Sequence, residues 1–186
     1  RFPAVATFSS KLRSMDCDAS RVKLVETCIE NYSRQNFDQL PMATLHGDFN
    51  DANILLHGDK WGILDVGDCV HSWRVNDLAI GAAYVMVNLC TPENERSGFS
   101  EKGDHVAVQG AQKFVEGFLQ RSILSKDECR ALPHLIAARL ATSFTLGWYS
   151  YRESLAAQPD MPRERRDYLL HHALPAATAL DVCLEA

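Results

Sequence analysis

Apolar residues recur at helical spacing along most of the chain, and one short central stretch breaks that rhythm. Val22, Val25, Cys28, Ile29 and Tyr32 repeat every three or four residues and predict a helix, with Asp18 or Ser20 as its N-cap. Residues 76–90 are apolar nearly all round, which predicts a buried helix opened by Asn76 with Asp77 in its first turn. Val106, Val108, Ala111, Phe114, Val115 and Phe118 predict another helix over 104–121. Ser125 and Glu128 have the spacing of a capping box. Pro133 should interrupt the helix they open and start a new one, which then runs on through the apolar stretch from His134 to Tyr151. Residues 163–186 read as a last helix with a kink at Pro175. The segments 91–103 and 156–162 read as loops, and residues 1–17 read as irregular.

Between these helices the pattern shortens. Pro41 turns the chain into Met42–Leu45, a short strand. A polar run from His46 to Asn53 follows. Then come two strand-like runs, 53–57 and 60–65, joined by a turn at Gly58 and Asp59. Folding that hairpin brings Asp65 back to Asn53, five residues beyond Asp48. Residues 66–74 read as a loop. A carboxylate, an amide oxygen and a second carboxylate then lie close together. Phosphoryl transfer needs such a set, because its catalysis is mostly positioning and charge neutralisation. Hard divalent cations such as Mg²⁺ prefer oxygen ligands. The elements add up to an α+β chain, mainly helical, with a small sheet at its active edge.

Length and charge narrow the partners. The 186 residues suit one domain, and 46% apolar with 23% charged residues describes a globular chain. A net charge of −5 argues against nucleic acid and against an anionic membrane surface. No apolar run is long enough to span a bilayer, and no signal-peptide pattern opens the chain. The six cysteines form no C-x-x-C pair and fit no zinc spacing. They read as reduced thiols, so a cytoplasmic location is expected. His171 and His172 have no companion metal ligands in the pattern. Arg139 is the one cation of an apolar stretch and must have a partner, because an unpaired buried charge is costly. Asp77 or a substrate carboxylate would serve.

Three features carry a family resemblance: His46-Gly-Asp-Phe-Asn-Asp-Ala-Asn-Ile-Leu55, Gly62-Ile-Leu-Asp-Val-Gly-Asp68, and the pattern from Ala138-Arg139 to Tyr149-Ser150. Together they resemble the aminoglycoside phosphotransferase and choline kinase group, and within it the hydroxylysine kinase branch. The resemblance implies the C-terminal lobe of a protein-kinase-like fold. It covers residues 1–186, with a catalytic loop at 46–53, a metal motif at 65–68 and a helical subdomain at 74–186. Asp48 would be the catalytic base, and Asn53 and Asp65 would bind Mg²⁺. His46 would organise the loop and Asp77 would brace it. Asp68 would meet a substrate ammonium, Trp73 would wall the pocket, and Arg139 would suit a substrate carboxylate. The implied reaction moves the γ-phosphoryl group of GTP or ATP to a hydroxyl of an amino acid or amino alcohol, 5-hydroxylysine first. The chain departs from the pattern at Val66, where Phe is common, and across Cys69–Trp73, where a Tyr-rich segment is usual.

The sequence holds no G-x-G-x-x-G, no G-x-x-x-x-G-K-[ST] and no V-A-I-K-like strand. An N-terminal lobe is therefore expected to be absent, and nucleotide binding by the chain alone to be weak. Two other readings share the motifs. One is a kinase for homoserine, choline or an aminoglycoside. The other is a non-catalytic lobe acting as a binding module.

Overall fold

The computed structural model describes residues 3–91 and 106–186, so most of the 91–103 segment lies outside it. Helices α1 (Pro3–Ser14) and α2 (Ala19–Ser33) come first. Four short strands follow: β1 (Met42–Leu45), β2 (Ile54–His57), β3 (Lys60–Ile63) and β4 (Val70–Trp73). The rest is helical: α3 (Asn76–Leu89), α4 (Val106–Leu119), α5 (Lys126–Ala157), α6 (Arg163–Leu170) and α7 (Ala173–Glu185). The expected class, mainly helical with a small sheet, is the one observed.

Four details differ from the sequence reading. Residues 1–17 are not irregular: Pro3 opens α1 at a position that suits proline, and Leu12 anchors the helix in the core. Pro133 does not break α5. It removes one hydrogen bond, to the carbonyl of Cys129, and Cys129 is exposed, so water can satisfy that oxygen. The last helical region divides at His171 and His172, and Pro175 sits unkinked in the first turn of α7, where its missing N–H costs nothing. Residues 70–73 form β4 rather than loop.

The fourth detail defines the active edge. β4 pairs antiparallel with β1, with Met42 opposite Trp73 and Leu45 opposite Val70. The backbone N–H of Arg74 donates to the carbonyl of Pro41 at 2.7 Å and extends the ladder. The whole segment from 46 to 69 is thus an excursion clamped at both ends by one strand pair. Inside it, β2 and β3 form the expected hairpin with Ile54 opposite Ile63 and His57 opposite Lys60. Gly58 takes a positive φ of 58° at the first turn position, as the tight hairpin turn requires.

The core lies among the helices. α5 packs against α7, α3 and α2, and α3 packs against α4. Val25, Ala82, Leu140, Ala141, Phe144 and Leu180 are fully buried. Each large side chain among them contributes about 2 kcal/mol by leaving water. Cys28 and Cys183 lie in or against this core, and burial pushes their thiols up to about 12 and about 11. Both stay protonated and behave as small apolar groups. All six cysteines are free. Among the described residues no helix is long and apolar enough to cross a membrane.

One ion pair ties the strands to this body. Arg74, just after β4, donates from Nε and Nη2 to the two carboxylate oxygens of Glu128 at 3.0 and 2.7 Å. Glu128 is completely buried and also closes the capping box with Ser125 at the start of α5. Burial raises the Glu128 carboxyl, but hydrogen bonds from Arg74 and Ser125 outweigh it and hold the group below its ordinary value.

Candidate active site

The site begins where β1 ends. Asp77, in the first turn of α3, spends its carboxylate on the loop: Oδ2 accepts from the His46 N–H at 2.7 Å and Oδ1 from the Gly47 N–H at 3.0 Å. His46 adds two further bonds. Its Nε2 lies 2.7 Å from the Leu64 carbonyl, and its Nδ1 accepts from the Asp48 N–H at 3.3 Å. A neutral ring with the proton on Nε2 makes both bonds. His46 therefore links the 46–53 loop to the segment just before Asp65.

Gly47 is required at its position twice over. Its φ is +87°, and a Cβ there would stand 2.6 Å from the backbone oxygen of Asp68. Gly47→Ala should cost about 2 kcal/mol, read as a lower urea midpoint with an unchanged m-value. An alanine variant of wild-type stability would mean that the loop relaxes away from residue 68.

Asp48 is held by its own loop and by α5. Asn50 Nδ2 donates to Asp48 Oδ2 at 2.9 Å, and Asn53 Nδ2 donates to the Asp48 carbonyl at 2.9 Å. Asn50 Oδ1 in turn accepts from the Asn53 N–H at 3.2 Å. Arg139 Nη2, from α5, lies 2.6 Å from Asp48 Oδ1 and 2.8 Å from the hydroxyl of Tyr84 on α3. Arg139 is thus paired with Asp48, not with Asp77. Asp77 is already committed to the two backbone N–H groups of the loop.

The hairpin then returns. The Leu64 N–H donates to the Asn53 carbonyl at 2.9 Å, which sets Asp65 beside the end of the loop. Asp65 takes the left-handed conformation, φ 56° and ψ 52°, uncommon for a residue with a side chain, and its carboxylate caps no helix N–H. The bond from Asn53 Nδ2 leaves the amide oxygen as the free end of that side chain. Asn53 and Asp65 together offer oxygen donors of the kind Mg²⁺ takes. Among the described residues no three His, Cys, Asp or Glu side chains gather as a self-sufficient metal site. Such a pair suits a cation that takes its other ligands from phosphate oxygens and water.

Asp68 and Trp73 complete the expected set. Asp68 is exposed on a short helical turn after Asp65. Trp73 is half-buried against the core, its ring 5.0 Å from that of Phe37. A small pocket of about 90 Å³ does open beside the loop, lined by Phe49, Asn50, Ile54, Tyr84, Asn88 and Phe114 among others. Gly81 permits it, since a Cβ there would lie 2.5 Å from the Phe114 ring. Sequence reasoning missed Asn50 and Tyr84 as site residues. Tyr84 had left a signal as a hydroxyl on an otherwise apolar helix.

Residues 14–107 match the profile of the APH phosphotransferase enzyme family, which is half of the chain, and the chain belongs to that family. The curated hydroxylysine kinase of Danio rerio is 33% identical over 101 residues, covering 50% of this chain and 28% of that protein. A solved structure, amicoumacin kinase hAmiN in complex with AMP-PNP, Ca²⁺ and Ami, superposes with a TM-score of 0.54 at 14% identity. It covers 88% of this chain, which spans 46% of that one and shares its fold. The chain therefore spans less than half the length of either relative.

Proposed function

We propose that the chain carries the catalytic half of a small-molecule kinase, which transfers the γ-phosphoryl group of GTP or ATP to a hydroxyl of an amino acid or amino alcohol. 5-Hydroxylysine is the first acceptor to test. The observation that carries this reading is one loop holding Asp48 beside Asn53, with Asp65 folded back against it. In the proposed step the acceptor oxygen forms a bond to the γ-phosphorus while the bond to the β–γ bridging oxygen breaks. The nucleoside diphosphate leaves, and the hydroxyl proton passes to Asp48. Asn53 and Asp65 would hold Mg²⁺, which neutralises phosphate charge. Asp48 orients the hydroxyl, and the anchored loop keeps base and cation ligands at fixed separation.

Family membership supports the reaction type, and the partial likeness to a hydroxylysine kinase supports the acceptor. The sequence contains no phosphate-covering glycine loop, so nucleotide affinity of the chain by itself is expected to be weak. The test is phosphoryl transfer with Mg²⁺ and GTP or ATP to a panel of 5-hydroxylysine, homoserine, choline and an aminoglycoside. Preferred turnover of 5-hydroxylysine supports the whole reading. Preference for another acceptor keeps the kinase and replaces the substrate. Binding of nucleotide with no transfer to any acceptor favours a binding module.

A further inference from the structure

Arg139 has a different task from the one its charge first suggests. We infer that Arg139 and Tyr84 form a positioning pair that fixes the Asp48 carboxylate for reaction, and that Arg139 does not anchor the carboxylate of the acceptor. This inference rests on the reading of Asp48 as the base.

The two oxygens of Asp48 have separate holders. Oδ1 meets Arg139 Nη2 at 2.6 Å, and Oδ2 meets Asn50 Nδ2 at 2.9 Å. One donor comes from α5 and the other from the loop itself, so the carboxylate plane is fixed against rotation. A carboxylate offers about four lone-pair positions, and these two bonds leave the others for an acceptor hydroxyl.

Arg139 is itself fixed. Its guanidinium carbon lies 5.1 Å from the centre of the Tyr84 ring, and its Nη2 also reaches the Tyr84 hydroxyl at 2.8 Å. Its Nε is buried without a partner among the described residues. An unmatched buried N–H is unusual, and here it belongs to the guanidinium that grips Asp48. The side chain thus gives up one donor so that Nη2 can serve Asp48 and Tyr84 together.

This geometry disfavours an acceptor carboxylate on Arg139. Such a group would compete for Nη2 and would set a second negative charge against Asp48, where like charges repel. The acceptor's anionic end is better placed away from this guanidinium, with its hydroxyl toward Asp48. Asn50 and Tyr84, which hold Asp48 and Arg139, also line the pocket beside the loop. Tyr84 therefore joins the wall of that pocket to the guanidinium on Asp48.

Steady-state transfer by the full chain tests this, with kcat and acceptor KM measured for wild type, Arg139→Ala, Arg139→Lys and Tyr84→Phe. A thermal melt of each variant checks folding. Arg139→Ala should lower kcat by about tenfold or more with acceptor KM changed less than about twofold. Arg139→Lys should recover part of the loss by restoring the charge. Tyr84→Phe should lower kcat severalfold while the ring stays in place. If the alanine variant does not fold, the lysine and phenylalanine variants carry the same test. A raised acceptor KM at unchanged kcat overturns the inference and returns Arg139 to substrate binding. Unchanged kcat and KM across the series overturn it as well. Absence of transfer by the wild-type chain at saturating nucleotide instead overturns the kinase reading of this chain, and with it any catalytic meaning of the pair.

Discussion

Asp48→Asn should lower kcat for phosphoryl transfer by about 10³-fold, with little change in nucleotide KM. The substitution keeps the shape of the side chain and removes its charge and its capacity to take a proton. The loop should survive it. The bonds that fold the loop run through the Asp48 backbone, whose carbonyl accepts from Asn53 and whose N–H donates to His46. Asp77 holds His46 and Gly47 independently. The loss should therefore fall mainly on turnover, with a smaller loss of stability because the Arg139 guanidinium keeps no charged partner. Product formation followed by mass spectrometry, beside a thermal melt, separates the two. An asparagine variant that turns over as fast as wild type would remove Asp48 from the chemistry.

Arg74→Ala should destabilise the fold by about 3 kcal/mol, because it strips the charged partner from a completely buried carboxylate. For a chain of this size that corresponds to a melting temperature lower by roughly 9 °C. The same pair gives stability a defined dependence on pH. Glu128 is held below its ordinary value in the folded chain, so the unfolded chain binds its proton more readily. The stabilisation is present above the unfolded value of about 4.3 and is lost as the pH falls through the folded one. Melting curves from pH 7 to 3 should show that loss in wild type and a shallower acid decline in Arg74→Ala. Parallel curves for the two proteins would show that Glu128 stays charged without Arg74.

The motif residues were legible in the sequence because a two-residue turn and a strand period determine them locally. Gly58 fixes the hairpin, the hairpin fixes its register, and the register returns Asp65 to Asn53. What was not legible depends on distant chain. Residues 70–73 became a strand because β1 offers them a partner, and nothing local outweighed the nearby Gly67 and Asp68. Pro133 reads as a break from its own chemistry, yet α5 continues because its apolar residues are buried against neighbouring helices, α2, α3 and α7 foremost. Arg139 announced that it needed a partner, and the pattern offered Asp77 or a substrate carboxylate. The choice fell to Asp48 because α3 had already turned the Asp77 carboxylate toward the backbone of residues 46 and 47. Trp73 beside a site motif suggested a wall. The ring contact with Phe37, thirty-six residues earlier, left no local signal.

Helix α5 acts as a ruler for the excursion between β1 and β4. Glu128 grips Arg74 beyond the far end of the excursion, and Arg139 grips Asp48 near its start. Eleven residues separate the two grips along one unbroken helix. At 100° and 1.5 Å per residue, that is about three turns and 16 Å, so both side chains leave nearly the same face. One residue more or fewer between them would swing Arg139 by about 100° and leave Asp48 without its guanidinium. The spacing of Asp48 from the strand that closes its loop is therefore written in the length of a helix that contains neither.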